Sequence, residues 1–290
     1  MPAEAIATII AAVIGLGGVL ITMLAQKEKE DRNAKALAGT AQKTALNQIK
    51  ERGVLKCGSI KHPPLADFSF KNGNCHFDGL YIEMARTVGR NNGLVMDFQA
   101  VDWSDLEHSF DSLGLDLVLS VFETKQRMQF ADFTAAFHKI GVSGVTRATG
   151  SKVETISDLH NHDVRIVVTK GEIGWEYAVR ELKIPKYRLI VMENSSLNEM
   201  FDYVISGRAD VAICDDVTCA TCVEQNDSLN HVFLDDSLYL CKNSIMVPKG
   251  DQRFAKWVET EFSKALASPD VRALEAEILA TMPKLIRRFR

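Results

Sequence analysis

Short apolar runs alternate with amphipathic stretches twice along this 290-residue chain, over residues 55–145 and again over 163–235. In the first block LKCGSI, VMDFQAV and DLVLSV read as strands. YIEMARTVGRNNG and WSDLEHSFDSLG read as helices, the first closed by Asn-Gly and the second by Gly114. After the separating segment GVSGVTRATGSKVETISDLHNHD, the strands RIVVT, RLIVME and DVAICD alternate with the helical patterns GWEYAVREL, SLNEMFDYVISG and DVTCATCVEQN. Alternation of this kind calls for an α/β fold with parallel sheets and helices on both faces. Sites in such sheets open at the carboxyl ends of the strands, so two blocks put a ligand cleft between two lobes. LYLCKNSIMVPKG adds a further strand before two helices, and Phe254, Trp257, Val258 and Phe262 share one face of the first as core.

Ahead of these blocks, Ala5 to Leu24 form an uncharged apolar run. At ~1.5 Å of rise per residue it reaches ~30 Å, the thickness of a bilayer's hydrocarbon core. Only Glu4 and the amino terminus precede it, so the basic leader of a cleaved signal peptide is missing. The expectation is a retained transmembrane anchor over 1–26, with Ala7, Ala11 and Gly15 at helix-packing spacing, and a polar juxtamembrane linker over 27–47. Lys27, Lys29, Arg32 and Lys35 follow the run, and the positive-inside rule would put the large domain in the cytoplasm.

A formal charge of −4 leaves no footprint for nucleic acid, and Lys284, Arg287, Arg288 and Arg290 read as a solvated helix end. Cysteines 57, 75, 214, 219, 222 and 241 permit bridges without requiring any. Cys219 and Cys222 form a CxxC, but no second pair of Cys or His follows at zinc spacing. On a helix they are two small apolar side chains on one face. No metal and no cofactor is expected.

Several segments in order carry a resemblance. They run from Ile49–Gly58 (IKERGVLKCG) and Pro63-Pro64 through Gly79–Ala85 (GLYIEMA), Val101–Leu106 (VDWSDL) and Gly114–Ser120 (GLDLVLS). They continue with Thr124–Arg127 (TKQR), Phe130–Thr134 (FADFT), Ile156–Leu159 (ISDL) and Gly207–Asp215 (GRADVAICD). Over residues 48–275 this resembles the family 3 solute-binding proteins, the amino-acid-binding group of the periplasmic binding protein fold (type II). The resemblance implies two lobes on a hinge of crossover strands, closing like jaws on a ligand. The first would be 48–145 plus 241–290, and the second 148–238. It also implies capture of a small amino-acid-like carboxylate outside the cytoplasm, periplasmic or extracellular, against the charge rule above.

The resemblance further assigns site residues. Arg127 matches the arginine that takes a ligand carboxylate, a charge-assisted pair contributing ~1.5–3 kcal/mol net. Thr124 reads as a helix N-cap before it. Asp215 matches the aspartate that takes the ammonium, and Asp216 beside it reads as exposed. Trp103 aligns with an aromatic wall, His62 with the opposite wall, and Ser120 with the ligand-contacting end of its strand. Phe122 departs from the family's hydroxyl, either narrowing the pocket or offering a cation–π contact to the ammonium. Lys170-Gly-Glu-Ile173 replaces the usual Gly-Thr-Thr.

The function so implied is a membrane-anchored solute-binding protein feeding an ABC importer permease, with no catalysis. A receptor domain signalling to a membrane sensor partner is the alternative. A dehydratase-like enzyme, with Glu172, His62 and Asp215 as acid or base, ranks below both.

Overall fold

In the computed structural model, which describes residue 27, residues 44–193 and residues 197–289, the two alternating blocks become halves of one eleven-stranded mixed sheet. The expected anchor over 1–26, the Ala7, Ala11 and Gly15 stripe, and most of the 27–47 linker lie outside the described residues. Among the described residues no helix is long and apolar enough to cross a membrane.

The first half opens with α1 (Ala45–Arg52) and places β1 (Val54–Ser59) between β4 (Val95–Ala100) and β5 (Leu117–Phe122), all parallel. Helix α2 (Leu80–Asn92) covers it, burying Leu80, Ile82, Met84, Ala85 and Val88. Burial of each large side chain contributes about 1.5–3 kcal/mol. In the second half β8 (Ile166–Thr169) lies parallel between β9 (Leu189–Met192) and β10 (Val211–Asp215). Helices α4 (Ile173–Arg180), α5 (Leu197–Ile205) and α6 (Asp216–Glu224) accompany these strands. Strands β5 and β10 are buried at every position, which is why both read as unbroken apolar runs.

The sheet is not parallel throughout. Two ten-residue strands, β7 (His138–Arg147) and β12 (Tyr239–Pro248), run antiparallel to each other and join the halves. β12 pairs with β5 and β7 pairs with β10, so each strand serves both halves. β6 (Ala131–Phe133) adds to β12, and β11 (Leu229–Val232) to β7. A hairpin of β2 (Asp67–Lys71) and β3 (Asn74–Asp78) stands apart from the main sheet. Its turn is Asn72-Gly73, both at positive φ, the signature of a two-residue hairpin.

Two local expectations need correction. The stretch from Trp103 is a 3₁₀ helix to His108, and only Ser109–Leu113 (α3) is α-helical. Tightening of this kind is common at a helix start. The basic end is not a solvated helix end either. After α7 (Gln252–Leu266) and α8 (Pro269–Thr281), Ile286–Arg288 form β13 on the hinge strand β7. The Phe254, Val258 and Phe262 stripe of α7 is fully buried, with Trp257 packed beside it, as its spacing predicts.

A buried polar chain fixes this end. Tyr81 Oη lies 3.2 Å from His138 Nδ1, and His138 Nε2 lies 3.1 Å from Glu275 Oε1. Arg288 donates to the same carboxylate through Nε at 3.0 Å and through Nη2. Burial pushes the Glu275 carboxyl up, but hydrogen bonds from His138 and Arg288 outweigh it and hold the group below the ordinary glutamate range. Glu275→Ala strands His138 and is expected to cost about 2–3 kcal/mol. The measurement is urea unfolding, with a lower midpoint at unchanged slope.

Candidate functional site

The carboxyl ends of β1 and β5 face those of β8 and β10, and the six candidate residues meet there in one buried cluster. β5 delivers Ser120 at φ 58, a left-handed backbone that a non-glycine residue adopts at a cost. Asn243 of β12 clamps it: Asn243 Nδ2 donates to Ser120 O at 3.1 Å, and Ser120 Oγ donates to Asn243 Oδ1 at 3.3 Å. The same hydroxyl lies 3.1 Å from His62 Nδ1. The loop after β1 fixes His62, whose N–H donates to Ala66 O at 2.6 Å. Across the cleft His62 Nε2 lies 3.3 Å from Asp215 Oδ1.

Asp215 ends β10 and caps α6. Its Oδ1 accepts from the N–H groups of Val217 and Thr218 at 3.0 Å, and its Oδ2 from Thr218 Oγ1 at 2.6 Å. Burial alone would raise its pKa, but His62 and then the Thr218 hydrogen bonds prevail and lower it. The carboxylate is therefore ionised and nearly immobile.

Arg127 opens a single 3₁₀ turn after β5 whose N-cap is Gln126 rather than the expected Thr124, though Thr124 Oγ1 accepts from the Arg127 N–H at 3.2 Å. Only 2% of the residue is exposed. Nη1 donates to Phe122 O at 2.9 Å, Nη2 to Gly171 O at 2.8 Å, and Nε pairs with Glu176 Oε1 at 3.0 Å. The guanidinium sits 5.3 Å from the Trp103 ring centre. Gly171 and Glu176 belong to the second half, so the arginine reaches across the cleft. That approach needs glycine at 171: φ is +81°, and a Cβ would fall 2.5 Å from Trp103 O.

Glu172 lies between these two bridges. It caps α4, with Oε2 accepting from Gly174 N at 2.6 Å. Its other oxygen is buried without a hydrogen-bond partner. Burial and then the neighbouring Asp215 raise its pKa to about 8, so the group is largely protonated at neutral pH. A recess of about 110 Å³ opens beside Arg127, lined in part by Trp103, Gln126, Lys170, Trp175 and Glu176.

Several assigned roles change. His62 has both ring nitrogens engaged, by Ser120 and Asp215, and the Phe122 ring lies 5.2 Å away, tilted to it by 57°. Trp103 lies against the Arg127 guanidinium and also lines the recess beside it. Asp216 is buried, not exposed: Oδ2 accepts from Ser237 Oγ at 2.9 Å, against Gly141, where a Cβ would collide. Burial, opposed by its serine hydrogen bonds, raises its pKa to about 6. Glu176, Gly171 and Asn243 join the site without having been singled out. Glu176 follows Glu172 by one helical turn, a same-face pairing that was available to notice. In the CxxC, Cys219 Sγ is 3.1 Å from Cys214 Sγ; burial raises the Cys214 thiol, and burial and then the neighbouring Cys219 push Cys222 up to about 12.

The raised Glu172 pKa fixes a sign. Between the unfolded value of 4.5 and about 8 the folded state holds a proton that the unfolded chain has released, so stability falls as pH rises. Asp216 adds the same slope between 3.8 and about 6. His231, whose pKa burial lowers from 6.5 to about 4, opposes this slope up to pH 6.5. Melting temperatures should therefore decline chiefly from pH 6.5 to about 8 in the native protein, and Glu172→Gln should flatten that decline.

The family description "Bacterial extracellular solute-binding proteins, family 3" matches residues 55–280. The arginine-binding extracellular protein ArtP of Bacillus subtilis (strain 168) is 25% identical over 171 residues, 59% of this chain and 65% of that protein's length. The ancestral amino acid-binding protein AncCDT-1, a precursor of cyclohexadienyl dehydratase, aligns with TM-score 0.66 at 21% identity, covering 81% of this chain and 98% of that one. A histidine kinase sensor domain similar to periplasmic binding proteins aligns with TM-score 0.66 at 17% identity, over 77% and 96%. With that match across most of its length, on a two-lobed α/β fold, the chain belongs to the family 3 solute-binding proteins.

Proposed function

We propose that this chain is a solute-binding protein that takes a small carboxylate-bearing, amino-acid-like ligand between its lobes, 48–145 plus 241–290 and 148–238. One observation carries the reading: the halves meet through two polar bridges, the ion pair of Arg127 with Glu176 and the hydrogen bond between His62 and Asp215. These are the two contacts a zwitterionic amino acid makes, a carboxylate on a guanidinium and a cationic or donor group on a carboxylate. In the closed structure the protein supplies both itself. Ligand binding is then an exchange, in which the solute's carboxylate replaces Glu176 on Arg127 and its ammonium replaces His62 on Asp215. Contacts to both lobes favour the closed form by population shift.

The arginine-binding relative supports an amino acid as the solute class. An apolar Ala5–Leu24 anchor and delivery to an ABC importer from outside the cytoplasm complete the proposal. A sensory reading keeps its place because the closed form holds together through protein groups alone, and the histidine kinase sensor domain shares the fold. Ser120, His62 and Asp215 also form a hydrogen-bonded relay. Its serine is fully buried and shares its hydroxyl with Asn243, which favours a latch over catalysis.

A thermal-shift screen of the purified protein against amino acids and organic acids tests the reading. A solute at a hundred times its dissociation constant should add ~2.7 kcal/mol of stability. Arg127→Met should abolish that shift, whereas Glu176→Gln, which removes the internal competitor, should enlarge it. Undiminished binding by Arg127→Met contradicts the assignment.

A further inference from the structure

The charges of the cleft are unevenly divided between its two sides. The second half contributes Glu172, Glu176 and Asp215, all buried at the N-terminal ends of α4 and α6. The first half contributes Arg127 as its cation and His62 as a hydrogen-bonding partner, while Lys170 of the second half lines the recess but pairs with Glu193 at 2.9 Å. Arg127 balances one of the three acids and His62 caps a second. Glu172 has no cation within hydrogen-bond distance, and its Oε1 is buried without a hydrogen bond, as is Oδ1 of Asp216, a residue at the start of α6 whose other oxygen lies against Ser237 and Gly141. Arg127 spends its donors on Phe122 O, Gly171 O and Glu176, so it offers Glu172 only a field at longer range.

We infer that Glu172 is a specificity-determining residue that accepts a cationic group of the solute, an ammonium or guanidinium, beside Asp215. The inference rests on the solute-binding reading above and narrows the ligand to solutes of net positive charge. Its basis is geometric. A buried carboxyl with one oxygen tied to Gly174 N and the other unpartnered is incomplete, and a donor on the ligand completes it. Opening the lobes separates Arg127, His62, Ser120 and Phe122 from the second half. Glu172, Glu176 and Asp215 then remain together as an acidic face on which a cation docks first.

The inference has a proton signature. Glu172 carries a proton in the closed structure, and a bound cation favours its ionised form, so the proton leaves to solvent as the solute enters. The groups around it are Glu176 one turn on in α4, Asp215 and Cys214 on β10, Cys241 on β12 and Arg127 from the first half. Burial raises both thiols far above neutral pH, Cys241 above any working range, so neither exchanges a proton there. Affinity for a cationic solute should rise with pH from 6 towards 8.5, approaching tenfold per unit below the Glu172 pKa.

Calorimetric titration of the full chain with near-isosteric pairs tests this: L-lysine against L-norleucine, and L-arginine against L-citrulline, at pH 6 and 8.5. The cationic member of a pair should bind about 10- to 100-fold tighter at pH 8.5, the scale of one charge-assisted hydrogen bond. Glu172→Gln should shrink both that preference and its pH dependence. Equal or tighter binding of the neutral members overturns the inference and leaves the solute-binding reading standing. A cationic preference that Glu172→Gln leaves intact removes Glu172 from the role. No heat with any of the four at millimolar concentration, together with no shift in the amino-acid screen, overturns both.

Discussion

A guanidinium taken out of water must have its charge and its donors met, because an unpaired buried charge is too costly for a marginally stable fold. Arg127 satisfies that demand only by drawing on both halves of the molecule. Phe122 O and the Trp103 face come from its own side, Gly171 O and Glu176 from the other. The closed arrangement follows from this. Glycine at 171 lets the second half come close enough, and Asp215 with His62 makes a second crossing where the strands end.

Two of the acids that face the first half, Asp215 and Glu172, cap helices, where free N–H groups fix them. Asp215 receives two such N–H groups and a hydroxyl, so it stays ionised despite complete burial. Glu172 is buried beside Asp215, and its backbone hydrogen bonds do not offset those two effects, so its pKa rises to about 8 instead. Two carboxylates on neighbouring strand ends thus occupy different protonation states because of what surrounds each: His62 and then the Thr218 hydrogen bonds overcome burial at Asp215, whereas burial and the Asp215 charge prevail at Glu172. The hinge strands hold a comparable economy outside the cleft, where Glu275 joins His138 of β7 to Arg288 of β13.

Much of this was legible before any coordinates. Unbroken apolar runs such as LVLSV and VAIC announce buried strands, and Gly114 marks the end of its helix. Arg127, Asp215, Trp103, Ser120, His62 and Phe122 converge as their flanking motifs imply. Their partners were not legible. Glu176 sits in an ordinary amphipathic helix, and nothing local distinguishes a carboxylate destined for Arg127 from one facing water. Asn243 lies in a strand whose antiparallel direction depends on the chain crossing between halves. Asp216 looked exposed because burial of a second acid depends on Gly141 and Ser237, both distant in sequence. Hydrophobic periodicity reports which face is inside; it carries no information about which buried polar groups find each other.

The central physical claim is that the closed state is held by an ion pair between Arg127 and Glu176 spanning the cleft. A double-mutant cycle with Arg127→Met, Glu176→Gln and their combination, read by urea unfolding, measures that pair directly. A coupling energy of about 1.5–3 kcal/mol is predicted for a buried charge-assisted contact. Additivity of the two substitutions to within about 0.5 kcal/mol would contradict it.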